Sequence, residues 1–234
     1  MARATLLLTR PADASQELLD RLDPGLLRQV QVILSPLIDI VAIADPPDMT
    51  GHAGAIFTSA QGVGFAVAGA GKPAWCVGAR TAQAAQARGW LVQHVAPDAD
   101  ALVAALNRAP PAGPLVHLAG RHRRGEIAAR VAAAGVRVDV HTLYDQCLLP
   151  LTDAAREALS GTRPVVLPLY SPRTAAHLAT QVRDCPATHA LAMSDAVARA
   201  ARQVLFATQV TLPEPTAVAM TRGIEMLLRR NSLP

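Results

Sequence analysis

Hydroxyl side chains recur at four places where a strand gives way to a helix: Thr58 with Ser59, the turn from Gly78 to Thr81, Ser171, and Ser194. Helix N-termini present free N–H groups and a partial positive charge, so such turns suit a carboxylate or a phosphate. Serine and threonine add further donors. Read singly, Ser59, Ser171 and Ser194 are plain helix caps. Repetition favours a ligand, because two such turns fall in each of two domains and face one cleft between them. Arg10 ends the first apolar run, and Gly120 and Arg121 follow another, inside GRHRR at 120–124. Ligands bind beyond the carboxyl ends of strands in open α/β sheets, so these residues stand at the ligand edge too. GRHRR also reads as a solvated loop. Tyr144 is one of two tyrosines. Its phenol donates one hydrogen bond without a charge change at neutral pH, which suits help to a departing hydroxide better than general-base work. It reads equally as a packing tyrosine at a strand end.

Other chemistries lack their residues. There is no GxGxxG, no P-loop, no GxSxG, and no acid and histidine set tied to a serine. The seven histidines are scattered, and Cys76, Cys147 and Cys185 are far apart, so no metal site is expected. An odd, sparse cysteine count suits a reducing cytosol, hence a cytoplasmic protein. The N-terminal LLL before Thr9-Arg10-Pro11 reads as a buried strand rather than a signal peptide. No apolar run has the length of a membrane span. The net charge of +4 comes almost wholly from arginine, with Lys72 the single lysine. Without a basic tail or aromatic interleaving, this favours a small polyanion over nucleic acid.

The elements that must position these residues follow from the pattern. Hydrophobic residues are 51% and charged ones 17%, ample for a core. Strands are predicted at 5–8, 30–33, 55–58, 74–77, 91–95, 115–118, 165–170, 188–193 and 205–210, with helices between them. That alternation means doubly wound parallel sheets. Asp13, with Gln16 three residues on, is the expected first N-cap. The strand from 30 is expected to run on past Pro36 into an apolar run at 32–43. A second low-charge strand at 135–149 alternates Val136, Val138 and Val140 with Arg137, Asp139 and His141. Residues 45–135 look complete as a domain, and 1–36 plus 149–234 become complete only together. The segments 37–44 and 136–148 are then the crossings. A weak repeat supports two similar domains: Ile56-Phe57-Thr58-Ser59 resembles Pro168-Leu169-Tyr170-Ser171, the serines standing 112 residues apart.

LLLTRP, SPLIDI, FTSAQGV, VGARTAQAA, HLAGRHRRGEIAARVAAAGVRVDVHTLY, LYSPRTAAHL and AMSDAVARAA, in that order, resemble the uroporphyrinogen-III synthase family over essentially the whole length. The resemblance implies two flavodoxin-like α/β domains joined by a two-stranded ladder, with the substrate in the cleft between them. It implies hydroxymethylbilane, a linear tetrapyrrole polycarboxylate, as substrate, closed with inversion of ring D through a spiro intermediate. It implies no cofactor, no membrane or nucleic-acid partner, a monomer, and transient hand-over from hydroxymethylbilane synthase. By position, Tyr144 matches the family's tyrosine thought to assist hydroxide departure. Ser59, Thr81 and Ser171 match polar cleft positions, and Arg10, Thr58, Gly78, Gly120, Arg121 and Ser194 are counted with them as substrate-binding. Ser194 and Val197 depart from the Gly and Thr of many relatives, Gln61 from their Asn, and His141-Thr142-Leu143 is unusual before the tyrosine. The alternative is a non-enzymatic two-domain protein that binds an anionic ligand.

Overall fold

A computed structural model describes residues 4–123, 126–133 and 135–232. Residues 1–3, Arg124 and Gly125 of the basic loop, and Ala134 at an expected helix end lie outside them. In chain order the elements are β1 (Thr5–Leu8), α1 (Ala12–Leu19), α2 (Pro24–Leu27), β2 (Gln31–Leu34), β3 (Ile38–Ala42), β4 (Gly54–Phe57), α3 (Ala60–Phe65) and β5 (Pro73–Val77). Then come α4 (Ala79–Ala87), β6 (Leu91–Ala96), α5 (Ala99–Arg108), β7 (Leu115–Gly120), α6 (Ile127–Ala132), β8 (Val138–Leu148) and α7 (Asp153–Ser160). The last are β9 (Val165–Leu169), α8 (Pro172–Gln181), β10 (Asp184–Ala192), α9 (Asp195–Ala200), β11 (Leu205–Thr211) and α10 (Ala217–Ser232). The fold is α/β with parallel sheets. The chain divides into two compact units, Met1–Asp39 with Cys147–Pro234, and Ile40–Gln146.

Unit 1 carries a five-stranded sheet in the order β11-β10-β9-β1-β2. Its central strands are buried on both faces, which is why they read as unbroken apolar runs. Alternate residues feed two cores. Leu7, Val165, Leu167 and Ala190 face one, while Leu6, Leu8, Val166 and Leu191 face the other, under α10. Pairing steps from β1 to β2 in one direction and through β9, β10 and β11 in the other, so the sheet reverses between β1 and β9. The ladder across that reversal covers only Thr5↔Val165 and Leu6↔Val166. Pro168, which has no N–H to give, sits further along β9.

Unit 2 carries the order β3-β8-β7-β4-β5-β6. Here β4, β5 and β6 step one way and β7 and β8 the other, so the reversal lies between β4 and β7. Two cores flank this sheet as well, one holding Ala55, Phe57, Val116 and Leu118, the other Ile56, Leu102, Leu106 and Leu115. Small residues let α3 and the sheet approach closely. A Cβ on Gly62 would stand 2.8 Å from the Leu118 carbonyl oxygen.

Three expectations are corrected. Asp13 is not the cap of α1: Pro11 is, with Asp13 inside the first turn. The reason is the fixed φ of proline, which starts the turn two residues earlier. The Ser15 hydroxyl donates instead to the Arg10 carbonyl at 3.2 Å. The run at 32–43 is not one strand, since Ser35-Pro36-Leu37 breaks it and its halves join different sheets. Pro36 cannot continue the ladder. Beyond the break β3 lies beside β8. Ile43 N–H donates to Leu143 O at 2.9 Å and Leu149 N–H to Leu37 O at 3.0 Å, which sets the two segments antiparallel. Tyr144 is inside β8, not at its end.

Candidate active site

In unit 2 the predicted residues come from four neighbouring strands, β8-β7-β4-β5: those of β7, β4 and β5 stand at the carboxyl ends, and Tyr144, inside β8, is level with the end of β7. Ser59 follows β4 and caps α3, its Oγ accepting from Gln61 N–H at 3.1 Å. Gly78 follows β5 and is the N-cap of α4, with φ +82° and open space where a Cβ would project. Its own N–H is taken by Ala96 O at 2.8 Å. Thr81 lies buried one turn on. Gly120 ends β7 and Arg121 follows it. In unit 1, Arg10, Ser171 and Ser194 follow β1, β9 and β10, again three neighbours. Ser171 caps α8, accepting from Thr174 N–H at 3.2 Å. Ser194 stands at the same station of α9 but its side chain makes no capping bond. Ser59 and Ser171 therefore both cap their helices. Val197, one turn into α9, faces the core, so it offers no contact at this edge. Ser59→Ala and Ser171→Ala are each expected to lower stability by about 1 kcal/mol, read as the shift in a urea midpoint.

Tyr144 owes its position to an irregularity that alternation alone does not reveal. Pairing of β7 with β8 runs in step to Ala119↔Thr142 and then jumps to Gly120↔Tyr144. Leu143 is the extra residue of a bulge. In a regular strand Leu143 and Tyr144 would face opposite sides. Instead both enter the core of Phe57, Val63 and Leu118. The Tyr144 ring stacks on Phe65 of α3, centroids 5.3 Å apart at 18°. It also lies over Gly120, where a Cβ would stand 2.6 Å from the ring and 3.0 Å from the hydroxyl. Gly120 thus has a clear structural task, leaving room for the tyrosine. Tyr144 is 5% exposed.

Arg121 is tied to the residue after the tyrosine. Its guanidinium meets Asp145 at 2.8 Å, and its N–H donates to Tyr144 O at 2.9 Å. His122 approaches the other oxygen of Asp145 at 3.3 Å. A carboxylate ligand at Arg121 would compete with Asp145. Neither Asp145 nor Phe65 is visible as a site residue in the sequence. Their only signals are adjacency to Tyr144 and the scarcity of aromatics.

Thr58 faces the other side of the sheet from Ser59 and shares a 3.3 Å hydrogen bond with His117 Nε2 on β7. Burial, with the Arg123 charge adding to it, pushes His117 down to about 4. His117, Arg121, Arg123 and Glu126 line a recess of about 250 Å³. A larger one, about 290 Å³, lies against Thr5, Gln31 and Arg163 at the opposite edge of unit 1, away from every predicted site residue. An unfolded histidine takes its proton near 6.5, the folded one only near 4. Stability is therefore complete above 6.5 and falls as pH drops, by up to about 3 kcal/mol once below 4. Subtracting the urea midpoints of His117→Gln from those of the parent across this window should isolate that slope. A constant difference would show that His117 titrates normally.

Burial pushes the Cys76 and Cys185 thiols up to about 11, so both are inert core groups. Among the described residues no cluster of His, Cys, Asp or Glu could hold a metal ion, and no helix is long and apolar enough to cross a membrane.

Fold and geometry together define a two-unit, doubly wound α/β protein with helix-start turns at the carboxyl ends of its parallel strands. A family model described as Uroporphyrinogen-III synthase HemD matches residues 27–222, and the chain belongs to this family. The family is one of enzymes of tetrapyrrole synthesis. Among solved structures, the uroporphyrinogen-III synthetase of Helicobacter pylori 26695 is similar, with TM-score 0.66 and 13% identity, covering 97% of this chain and 100% of that one. A mutant uroporphyrinogen III synthase from the extremely thermophilic bacterium Thermus thermophilus gives TM-score 0.53 at 16% identity, covering 98% and 100%. At such identities the likeness is one of fold. No curated protein matches the sequence.

Proposed function

We propose that this chain is a uroporphyrinogen-III synthase, a cyclising hydro-lyase that converts hydroxymethylbilane to uroporphyrinogen III and water. Family membership supports this reaction class. The observation that carries the site is Tyr144, turned by a bulge to the same sheet edge as Ser59, Gly78 and Thr81. The terminal C–O bond of the bilane breaks, and the departing hydroxide leaves as water with the proton that the adjacent pyrrole N–H gives up as its ring becomes an azafulvene. The Tyr144 phenol donates a hydrogen bond to that oxygen as charge builds on it. The azafulvene so formed is attacked by the substituted carbon of the far pyrrole. The resulting spiro intermediate fragments and recloses with ring D inverted.

The helix-start turns of both units hold the acetate and propionate side chains, with Ser194 the hydroxyl best spared from capping. No cofactor enters this scheme. Holding the chain in the folded-back geometry is the larger task, since the bilane closes unaided to the uninverted isomer. The protein acts as a cytoplasmic monomer, receiving its substrate by transient hand-over from hydroxymethylbilane synthase. A coupled assay that separates the III and I isomers tests the reading. The III isomer should dominate. A product mixture no richer in III than buffer alone would leave the anionic-ligand-binding alternative.

A further inference from the structure

Arg10 stands where the unit 1 sheet reverses, at the carboxyl end of β1, and Tyr170 stands beside it at the carboxyl end of β9. The guanidinium carbon lies 4.3 Å from the centre of the Tyr170 ring, inside cation–π range. The body of the ring packs against the core that holds Leu8, Leu18 and Leu22, so the platform is fixed from below. The Arg10 main chain is fixed as well, its carbonyl accepting from the buried Ser15 hydroxyl. One guanidinium N–H reaches the Ala14 carbonyl at a long 3.4 Å. Among the described residues no carboxylate pairs with Arg10. A half-buried cation, oriented on two sides and lacking a counter-charge, sits at the place in the sheet where ligands bind.

We propose that Arg10 and Tyr170 form a carboxylate subsite, with Tyr170 the positioning residue that aims the guanidinium of Arg10. The inference deepens the proposed function and rests on its polycarboxylate substrate. Burial raises the Tyr170 phenol above its ordinary value and outweighs the Arg10 charge beside it, so the ring stays neutral beneath the cation. Its hydroxyl is buried with no partner in good hydrogen-bond geometry, yet it stands near enough to the Arg10 guanidinium for that group to act on it as a donor. The aromatic face is the main platform, 4.3 Å from the guanidinium carbon. Guanidinium planarity matters for the same reason: it stacks on the ring while its edge stays open to a carboxylate.

Steady-state kinetics with hydroxymethylbilane test the pair. Arg10→Gln and Tyr170→Leu should each raise KM by about fivefold, with kcat within about twofold of the parent. Tyr170→Phe keeps the ring and should raise KM less than Tyr170→Leu does. The double variant R10Q/Y170L should be no worse than R10Q, because one interaction cannot be lost twice. A normal KM in Y170L, or independent effects in the double variant, overturns the proposal. If Y170L melts, Arg10→Lys reads the same contact, keeping charge but losing the stacking plane. A normal KM there overturns it too.

Titration with uroporphyrin, a stable octacarboxylate, separates this inference from the synthase reading. Weaker binding by R10Q and Y170L in a protein that makes no III isomer would keep the subsite and sink the synthase. Parent-like affinity in both variants, or no binding by the parent, would sink the subsite even if the III isomer forms.

Discussion

Replacing Tyr144 by phenylalanine should lower kcat about 10- to 100-fold, the scale of losing one well-placed donor to a developing oxyanion. The fold should not notice. Phenylalanine keeps the stack on Phe65 and the packing over Gly120. Single-turnover rates with hydroxymethylbilane and a melting curve read the two effects apart. A Y144F protein with the parent's rate would take the phenol out of the mechanism. It would leave Tyr144 as a wall of the core around Phe57 and Leu118. A Y144F protein that melts early would point to a missing partner for the hydroxyl.

Gly120→Ala is expected to do more with one methyl group. That carbon would stand 2.6 Å from the Tyr144 ring, closer than carbon atoms approach. The ring must swing away from Phe65, or β7 and β8 must part. Overpacking of this kind costs about 1–3 kcal/mol. Because the displaced group carries the proposed donor, turnover should fall at least as far as in Y144F. A second background shows whether the clash is the cause. With Tyr144→Ala in place the ring is gone, so the stability cost of the Gly120 alanine should shrink. Parent-like stability and turnover in Gly120→Ala would show that the ring does not sit where the glycine makes room for it.

Much of the fold is legible in order. Strands such as Thr5–Leu8 and Val165–Leu169 are buried on both faces, so they announce themselves as apolar runs between turn residues. Helix starts at Ser59 and Ser171 are legible because a side chain that caps must be the right type at the right place. What misleads is chemistry with two local solutions. Asp13 with Gln16 spells a capping box, yet Pro11 starts the turn first. Residues 32–43 spell one apolar run, yet its halves belong to different sheets. Short α2 is missed because its cap, Asp23, introduces only four helical residues.

For the site, the residue types were enough to choose candidates, since Ser, Thr and Arg at strand-to-helix turns carry their chemistry wherever the strands go. Neighbour relations were not. Strand order, which places Arg10 beside Tyr170 and Gly120 beside Tyr144, depends on pairing between segments as far as about 160 residues apart. A period of two assigns each side chain a face, and a single bulge at Leu143 reverses that assignment for all that follows. The sequence by itself determined that this chain alternates strands and helices and carries a tyrosine among hydroxyl-bearing helix-start turns. Only the tertiary structure decided which way Tyr144 points, which glycine must yield to it, and which ring holds Arg10. Those depend on register between distant strands, which no local pattern of residues encodes.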